Sequence, residues 1–166
     1  GGLTSAAGFQ AAGIHAGLKK AKKDMALIVS TVPAVTAAVF TTSQVKAAPV
    51  LLDMEHLQNP VTKAVISNSG NANACTGSLG FTNALQMAER TAQHLGCTKE
   101  EVFVFSTGVI GMQLPMKKVE KGIDKIVGEL SSNGGHVAPE ALLTTDTFTK
   151  ECCVEVEITK KKVTIG

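Results

Sequence analysis

Residues 63–96 read KAVISNSGNANACTGSLGFTNALQMAERTAQHLG, and a change of period inside this stretch decides the fold. Lys63–Ser67 is short, apolar and β-branched, the composition of a strand. From Phe81 onward the apolar positions Phe81, Leu85, Ala88, Ala92 and Leu95 recur at alternating steps of four and three. That spacing lays them along one face of a helix. Gly96 follows in the place where a left-handed residue commonly ends one. Between strand and helix runs Asn68–Gly77, small and polar throughout.

Working outward, the N-terminal third reads as further strands. Ala11–Leu18 and Met25–Ser30 flank the polar turn Lys19–Asp24, which predicts a hairpin. Pro33 interrupts the pattern and Val35–Thr41 resumes it. Ala47–Leu52 is another strand candidate, with Pro49 confining it to a sheet edge or a strand end. Beyond the central helix, Val102–Phe105 predicts a buried strand. A second helix starts near Pro115, a favoured first-turn residue, with the stripe Met116, Val119, Ile123, Ile126 and Leu130. Pro139 opens a short third helix through Leu143. Cys152, Val154, Val156 and Ile158 then alternate with Glu151, Cys153, Glu155 and Glu157, a strand with one acidic face. Thr159–Lys162 turns it back into Val163–Ile165. Strands, then helices, then a hairpin predict an α+β protein built in layers. Residues 1–166 form one segment with no internal boundary, and a continuation or a pairing partner is expected beyond the last strand.

Composition narrows the function classes. The 166 residues carry 16 Lys+Arg against 14 Asp+Glu, a formal net charge of +2, and the chain is 44% apolar. A chain so apolar and so evenly charged folds rather than staying open by self-repulsion. The balance also supplies no strong field toward nucleic acid or membrane. With six Phe and neither Trp nor Tyr, a stacking platform for single-stranded nucleic acid has little to build from. No apolar run approaches the roughly 18 residues of a spanning helix. Gly1-Gly2-Leu3-Thr4 has no secretory character, and Cys75, Cys97, Cys152 and Cys153 form no C-x-x-C pair. The expectation is a soluble, intracellular chain with reduced cysteines.

Three segments are candidates for chemistry. Asn68–Gly77 offers three Asn amides that could hold a substrate's polar groups, or that could serve an ordinary strand-to-helix loop. Within it, Cys75 has no His nearby in sequence, and a lone Cys is usually a small buried hydrophobe. Ser106–Gly111 reads as a loop leaving a strand toward a helix, where backbone N–H groups could cradle phosphate or stabilise an oxyanion. It lacks the Lys of a Walker A loop and the spacing of G-x-G-x-x-G, which weakens the phosphate reading. Thr144-Thr145-Asp146-Thr147 suits a helix N-cap or a substrate-contacting loop. His15, His56, His94 and His136 are scattered, without metal-ligand spacing, and no metal is expected. Lys19, Lys20, Lys22, Lys23 and Lys160–Lys162 form two basic tips in turns, read as solvated clusters.

Taken together, Gly8-Phe9 with Gly13 and His15, Val39–Thr42, Val45–Val50, Asn68–Gly77, Ser106–Gly111, Leu114–Met116 and Leu143–Thr147 resemble the ornithine acetyltransferase family, in the family's order and along nearly the whole chain. The resemblance implies a layered αββα sandwich similar to the N-terminal-nucleophile fold. It also implies a precursor that cuts itself at an Ala-Thr bond into α and β chains, the new N-terminal Thr of the β chain being the nucleophile. This chain would be the α chain, with the family's K-G-S-G-M-I stretch expected soon after Gly166. Thr107 and Gly108 match the oxyanion-hole pair and Thr144 a substrate-contacting position, with Thr145 one residue away. Asn71 and Asn73 would support the same pocket.

The implied reaction moves acetyl from N-acetylornithine to glutamate in arginine biosynthesis. No cofactor is implied, although some relatives also take acetyl-CoA as donor. The implied partners are the β chain in an α2β2 assembly and the two substrates, with neither nucleic acid nor membrane. A self-processing aminopeptidase or β-peptidase of similar fold, and a non-catalytic phosphate-binding domain, are the competing readings.

Overall fold

A computed structural model describes residues 2–166. Its main sheet contains β1 (Phe9–Ile14), β2 (Met25–Val35), β3 (Val61–Asn71) and β4 (Val102–Val109), side by side in that order. The first three are antiparallel neighbours, while β3 and β4 run parallel. Parallel neighbours need a crossover, and α2 (Gly77–Leu95) supplies it. The other helices are α1 (Ala48–His56), α3 (Met116–Ile126) and the short α4 (Val137–Leu142). A separate hairpin pairs β5 (Val154–Ile158) with β6 (Lys161–Ile165). The expected α+β class is what the chain adopts.

Alternation along the strands sorts the two faces of the sheet. Leu27, Ile66, Val102 and Val104 face a core that is closed by Leu52 of α1, Met87 of α2 and Val119, Ile123 and Ile126 of α3. Burial of each such side chain contributes about 1.5–3 kcal/mol. The opposite face is smaller. Ala11 and Ala26 there meet Ala138 and Ala141 of α4, which covers only one end of the sheet. The alternate residues of β3 and β4 on that face (Val65, Ser67, Phe103, Phe105 and Thr107) line a cavity of about 530 Å3 instead. One layer of helices is therefore complete, while half of the other face has no helix layer and opens into this cavity, bordered by residues 36–40, the start of α1 and Leu142.

The helical period from Phe81 is fulfilled, and Gly96 ends α2 in the left-handed conformation at φ 64°. Three strand expectations need correction. Val35–Thr41 is not a strand: β2 runs through Pro33 and ends at Val35, and the next residues are irregular, with Val39 98% exposed. The register jumps between Val29 and Ala34, so Pro33 sits in a bulge, where its missing N–H costs no ladder bond.

Ala47–Leu52 is the start of helix α1, and Pro49 stands in its first turn. Its buried positions are Ala48, Pro49, Leu52, Asp53 and His56, a helical stripe in which two inward residues are polar. Those two face the open edge of β4. Val104 N–H donates to Asp53 Oδ1 at 2.9 Å, and His56 Nδ1 lies 2.9 Å from the Val102 carbonyl oxygen. Finally, the strand at Val102 does not stop at Phe105 but runs to Val109, with the Phe105 side chain turned out of the core and 51% exposed.

Candidate functional site

The predicted loop Ser106–Gly111 is, for most of its length, the end of β4. Ser106, Thr107 and Gly108 pair in register with Asn68, Ser69 and Gly70 of β3. Gly108 is held at φ 137°, and a Cβ added there would lie 2.4 Å from the Gly70 carbonyl carbon and 2.6 Å from the Asn71 nitrogen. Both the conformation and the close approach demand glycine. The strand end is thus pressed onto its neighbour, with half-buried Thr107 lining the cavity on the face of the sheet away from the main core. Ser106 differs from Thr107, since its hydroxyl is bonded inward to Asn68 Oδ1 at 2.6 Å. A strand end of this kind has no helix N-terminus to cradle phosphate, because α3 begins only after Pro115. Two residues that could polarise a carbonyl oxygen at a cavity wall are what the arrangement offers.

The Asn-rich stretch answers the choice that the sequence left open. Asn68, Asn71 and Asn73 are all buried. Asn68 Nδ2 donates to the Asn71 carbonyl at 2.9 Å, and Asn71 Nδ2 donates to Met112 and Gln113 carbonyls at 3.0 and 3.2 Å. Asn73 Nδ2 donates to the Gly80 carbonyl at 2.8 Å, its Oδ1 accepts from the Thr76 hydroxyl at 2.8 Å, and its own carbonyl accepts the Ala48 N–H at 3.1 Å. These amides brace the backbone that carries β3 into α2, and they tie it to the start of α1. They act as scaffold for the strand pair at Gly70 and Gly108. Cys75 departs from the expectation of burial: it is exposed, at φ 56°.

Thr144 and its neighbours follow α4 and precede no helix, so the N-cap reading falls. Thr144, Thr145, Asp146 and Thr147 are exposed. Lys150 donates to Asp146 and holds its carboxyl below the usual carboxylate range. Two bonds anchor the segment to the strand end. The Ser69 hydroxyl donates to the Ala141 carbonyl, and Lys19 Nζ donates to the Leu143 carbonyl at 2.5 Å. Because Ser69 is the register partner of Thr107, and because Leu142 lines the same cavity as Thr107, the structure brings Thr107, Gly108 and the root of the Thr144 segment to one end of the sheet.

Two residues in this region carry no signal in a sequence reading. Asp53 lies in the cavity wall, 3% exposed, and its carboxyl is pushed up to about 7 by burial, against the opposing pull of the Val104 N–H. Helix α1 was concealed by its polar inward positions, and Asp53 with it. Lys19, expected to be solvated with Lys20 and Lys22, is half-buried and bonded. Among the described residues no group of three or more His, Cys, Asp or Glu could hold a metal ion, and no helix is long and apolar enough to cross a membrane.

A model of the ArgJ family matches residues 10–166. The chain belongs to the ArgJ family. It is 50% identical over 158 residues to the arginine biosynthesis bifunctional protein ArgJ of Caldanaerobacter subterraneus, an alignment covering 95% of this chain and 39% of that relative. The chain therefore spans about two fifths of the length of the curated ArgJ relatives it matches. Two solved structures are similar over most of each chain. The crystal structure of ArgJ from Bacillus halodurans superimposes with a TM-score of 0.93 at 41% identity, covering 99% of this chain and 87% of that one. The ornithine acetyltransferase of Mycobacterium tuberculosis, solved in complex with ornithine, gives 0.86 at 44% identity over 89% and 81% of the two chains. The α+β arrangement here is thus the ArgJ arrangement.

Proposed function

We propose that this ArgJ-family chain is the α part of an acetyltransferase of arginine biosynthesis. It works with a β chain from the same precursor, whose N-terminal Thr is the nucleophile. The observation that carries the reading is the strand end itself: Gly108, forced against Gly70, sets Thr107 at the wall of a cavity that no helix layer closes and that residues 36–40, the start of α1 and Leu142 border. A second layer brought by a partner chain would close it and complete the αββα sandwich. The 1–166 segment acts as one unit in that assembly, an α2β2 tetramer in the cytoplasm.

The chemistry follows from the parts. The β-chain Thr hydroxyl attacks the acetyl carbonyl of N-acetylornithine, and its α-amine takes the hydroxyl proton. Negative charge that develops on the carbonyl oxygen is met by Thr107 and the Gly108 N–H. A donor of this kind contributes about 10²–10³-fold in rate. As the tetrahedral species collapses, the C–N bond breaks and the proton passes to the departing ornithine nitrogen. The acetyl group is left as an ester on Thr. Glutamate's amine then attacks that ester through the same oxyanion, and the Thr oxygen recovers its proton. Thr144 contacts the amino-acid part of the substrate, and no cofactor takes part, acetyl-CoA being at most an alternative donor.

The test is to express the whole precursor, look for a second chain beginning with Thr, and measure initial rates with N-acetylornithine and glutamate varied. Parallel double-reciprocal lines and an acetyl adduct of 42 Da on the β chain, about the mass of an added ketene unit, are expected of a ping-pong path. Intersecting lines with no trapped adduct would sink the proposal.

A further inference from the structure

We infer that Lys19 is a positioning residue, which holds the Thr144 segment in fixed relation to the Thr107–Gly108 strand end. The inference rests on the assignment of Thr144 as a substrate contact, and deepens it.

Lys19 is placed by a buried carboxylate. Asp24 is fully buried at the start of β2 and accepts the N–H groups of Ala16, Leu18 and Lys19 at 2.6, 2.7 and 2.8 Å. His15 Nδ1 stands 3.2 Å from the same carboxylate. Three converging amides curl residues 16–19 into a fixed loop, so the Lys19 backbone has little freedom. Its stem then crosses Gly70: a Cβ built on Gly70 would meet Lys19 Cγ at 3.2 Å and the Leu18 carbonyl oxygen at 3.5 Å. The absence of a side chain at Gly70 thus leaves room for the Lys19 stem and the Leu18 backbone above it.

At its tip the ammonium donates to the Lys23 carbonyl at 3.2 Å and to the Leu143 carbonyl at 2.5 Å. Leu143 caps the C-terminal end of α4 at φ -59° and ψ 125° and is the residue before Thr144. Its carbonyl is one of those that a helix end leaves without an internal partner. One lysine therefore spans from the glycine under the oxyanion strand to the backbone that launches Thr144. Burial pushes the Lys19 ammonium below its ordinary range, while Asp24 opposes the shift, as expected for a cation drawn into the fold to make these bonds. Lys23, by contrast, reaches α4 only through an exposed pair with Glu140, a kind of contact that contributes little.

The experiment compares wild type with Lys19→Met, which keeps the unbranched stem over Gly70 and removes the donor, in the enzyme assembled from both chains. Hydrogen exchange at residues 144–147 and the kinetics of acetyl transfer are read together. Loss of a charge-assisted bond predicts about tenfold faster exchange in that segment, and about a tenfold rise in KM for the acetylated donor with kcat within roughly threefold of wild type. Lys19→Arg, which retains a cationic donor, recovers most of both effects. Unchanged exchange, or a fall in kcat at constant KM, overturns the inference. Should wild type transfer no acetyl while the Met variant still exchanges faster at 144–147, the tether stands and the reading of the activity fails. Where Lys19→Met does not assemble, Lys19→Gln carries the test, with the same direction at smaller size, and no change in it overturns the assignment.

Discussion

Gly108 and Gly70 oppose each other across β4 and β3 so closely that Gly108 has no room for a side chain: a Cβ there would sit 2.8 Å from the Gly70 Cα. The clash is with backbone, which cannot swing aside as a flexible side chain would. Gly108→Ala must therefore separate the strand ends and also relax a φ of 137°. The expected outcome is a loss of roughly 1–3 kcal/mol of stability from the strained backbone, together with a fall in kcat of about 10²-fold or more as the oxyanion donors move out of line. Urea unfolding and steady-state rates of the assembled enzyme check both. A variant with wild-type kcat would remove Gly108 from the mechanism.

Thr107→Val isolates the hydroxyl, since the two side chains have nearly the same shape. Thr107 lines the cavity and is not part of the helix-side core, so stability should move by less than about 0.5 kcal/mol. The rate of acyl-enzyme formation should drop by about 10²-fold if the hydroxyl is the donor. An unchanged rate would hand that role to the backbone amide alone. Stopped-flow measurement of the first half-reaction distinguishes the two.

Asp53 makes stability depend on pH in the direction opposite to a salt-bridged carboxylate. Its folded pKa of about 7 lies above the ordinary 3.8, so between these values the folded chain binds more protons than the unfolded one. Stability contributed by this group is present at low pH and is lost as pH rises toward 7. Asp53→Asn removes the titration and keeps an oxygen for the Val104 N–H. Denaturant unfolding at pH 5 and pH 8 should show the variant gaining on wild type at the higher pH, by a few kcal/mol at most. A constant difference between the two proteins across that range would show that Asp53 does not titrate there.

Asn73 combines a bonded amide with φ 46°. Asn73→Ala leaves the Gly80 carbonyl and the Thr76 hydroxyl without their buried partner, and places an alanine where the left-handed conformation is unfavourable. A loss of about 2–4 kcal/mol is expected. Asn73→Gly removes the same bonds but accepts the conformation, so its loss should be smaller by about 1 kcal/mol. Equal losses in thermal and denaturant unfolding would mean that the backbone angle carries no strain.

What the sequence disclosed, and what it did not, divides along a physical line. Phe81, Leu85, Ala88, Ala92 and Leu95 face one core, so their period reports their environment, and α2 and its glycine stop could be read directly. Alternation also gave β5, although its apolar residues are exposed and the hairpin is held by its own pairing with β6. Helix α1 was misread because Asp53 and His56, polar by composition, occupy inward positions where β4 offers backbone partners. The stretch Ser106–Gly111 looked like a turn because its Thr and Gly are turn residues, whereas most of it pairs with β3 and Gly108 is a glycine because the Gly70 backbone presses on it. At the end of the fold that holds Thr107 and Thr144, Lys19 meets Leu143, residues 124 apart in sequence. No local pattern encodes such a meeting. Likewise the Asn amides could have faced a ligand or their own backbone, and only the packing of α1, α2 and the strand ends decides for the backbone.

The way α1 meets β4 also bears on how the protein avoids sticking to copies of itself. An outer strand with free N–H and C=O groups is a template on which another strand can add, the usual first step of sheet-mediated aggregation. Asp53 and His56 occupy the Val104 N–H and the Val102 carbonyl, so an arriving strand finds those positions already taken along the first part of β4. Growth of the sheet sideways is blocked there, and association is steered to its open face, where shape and side chains rather than generic backbone pairing select what binds.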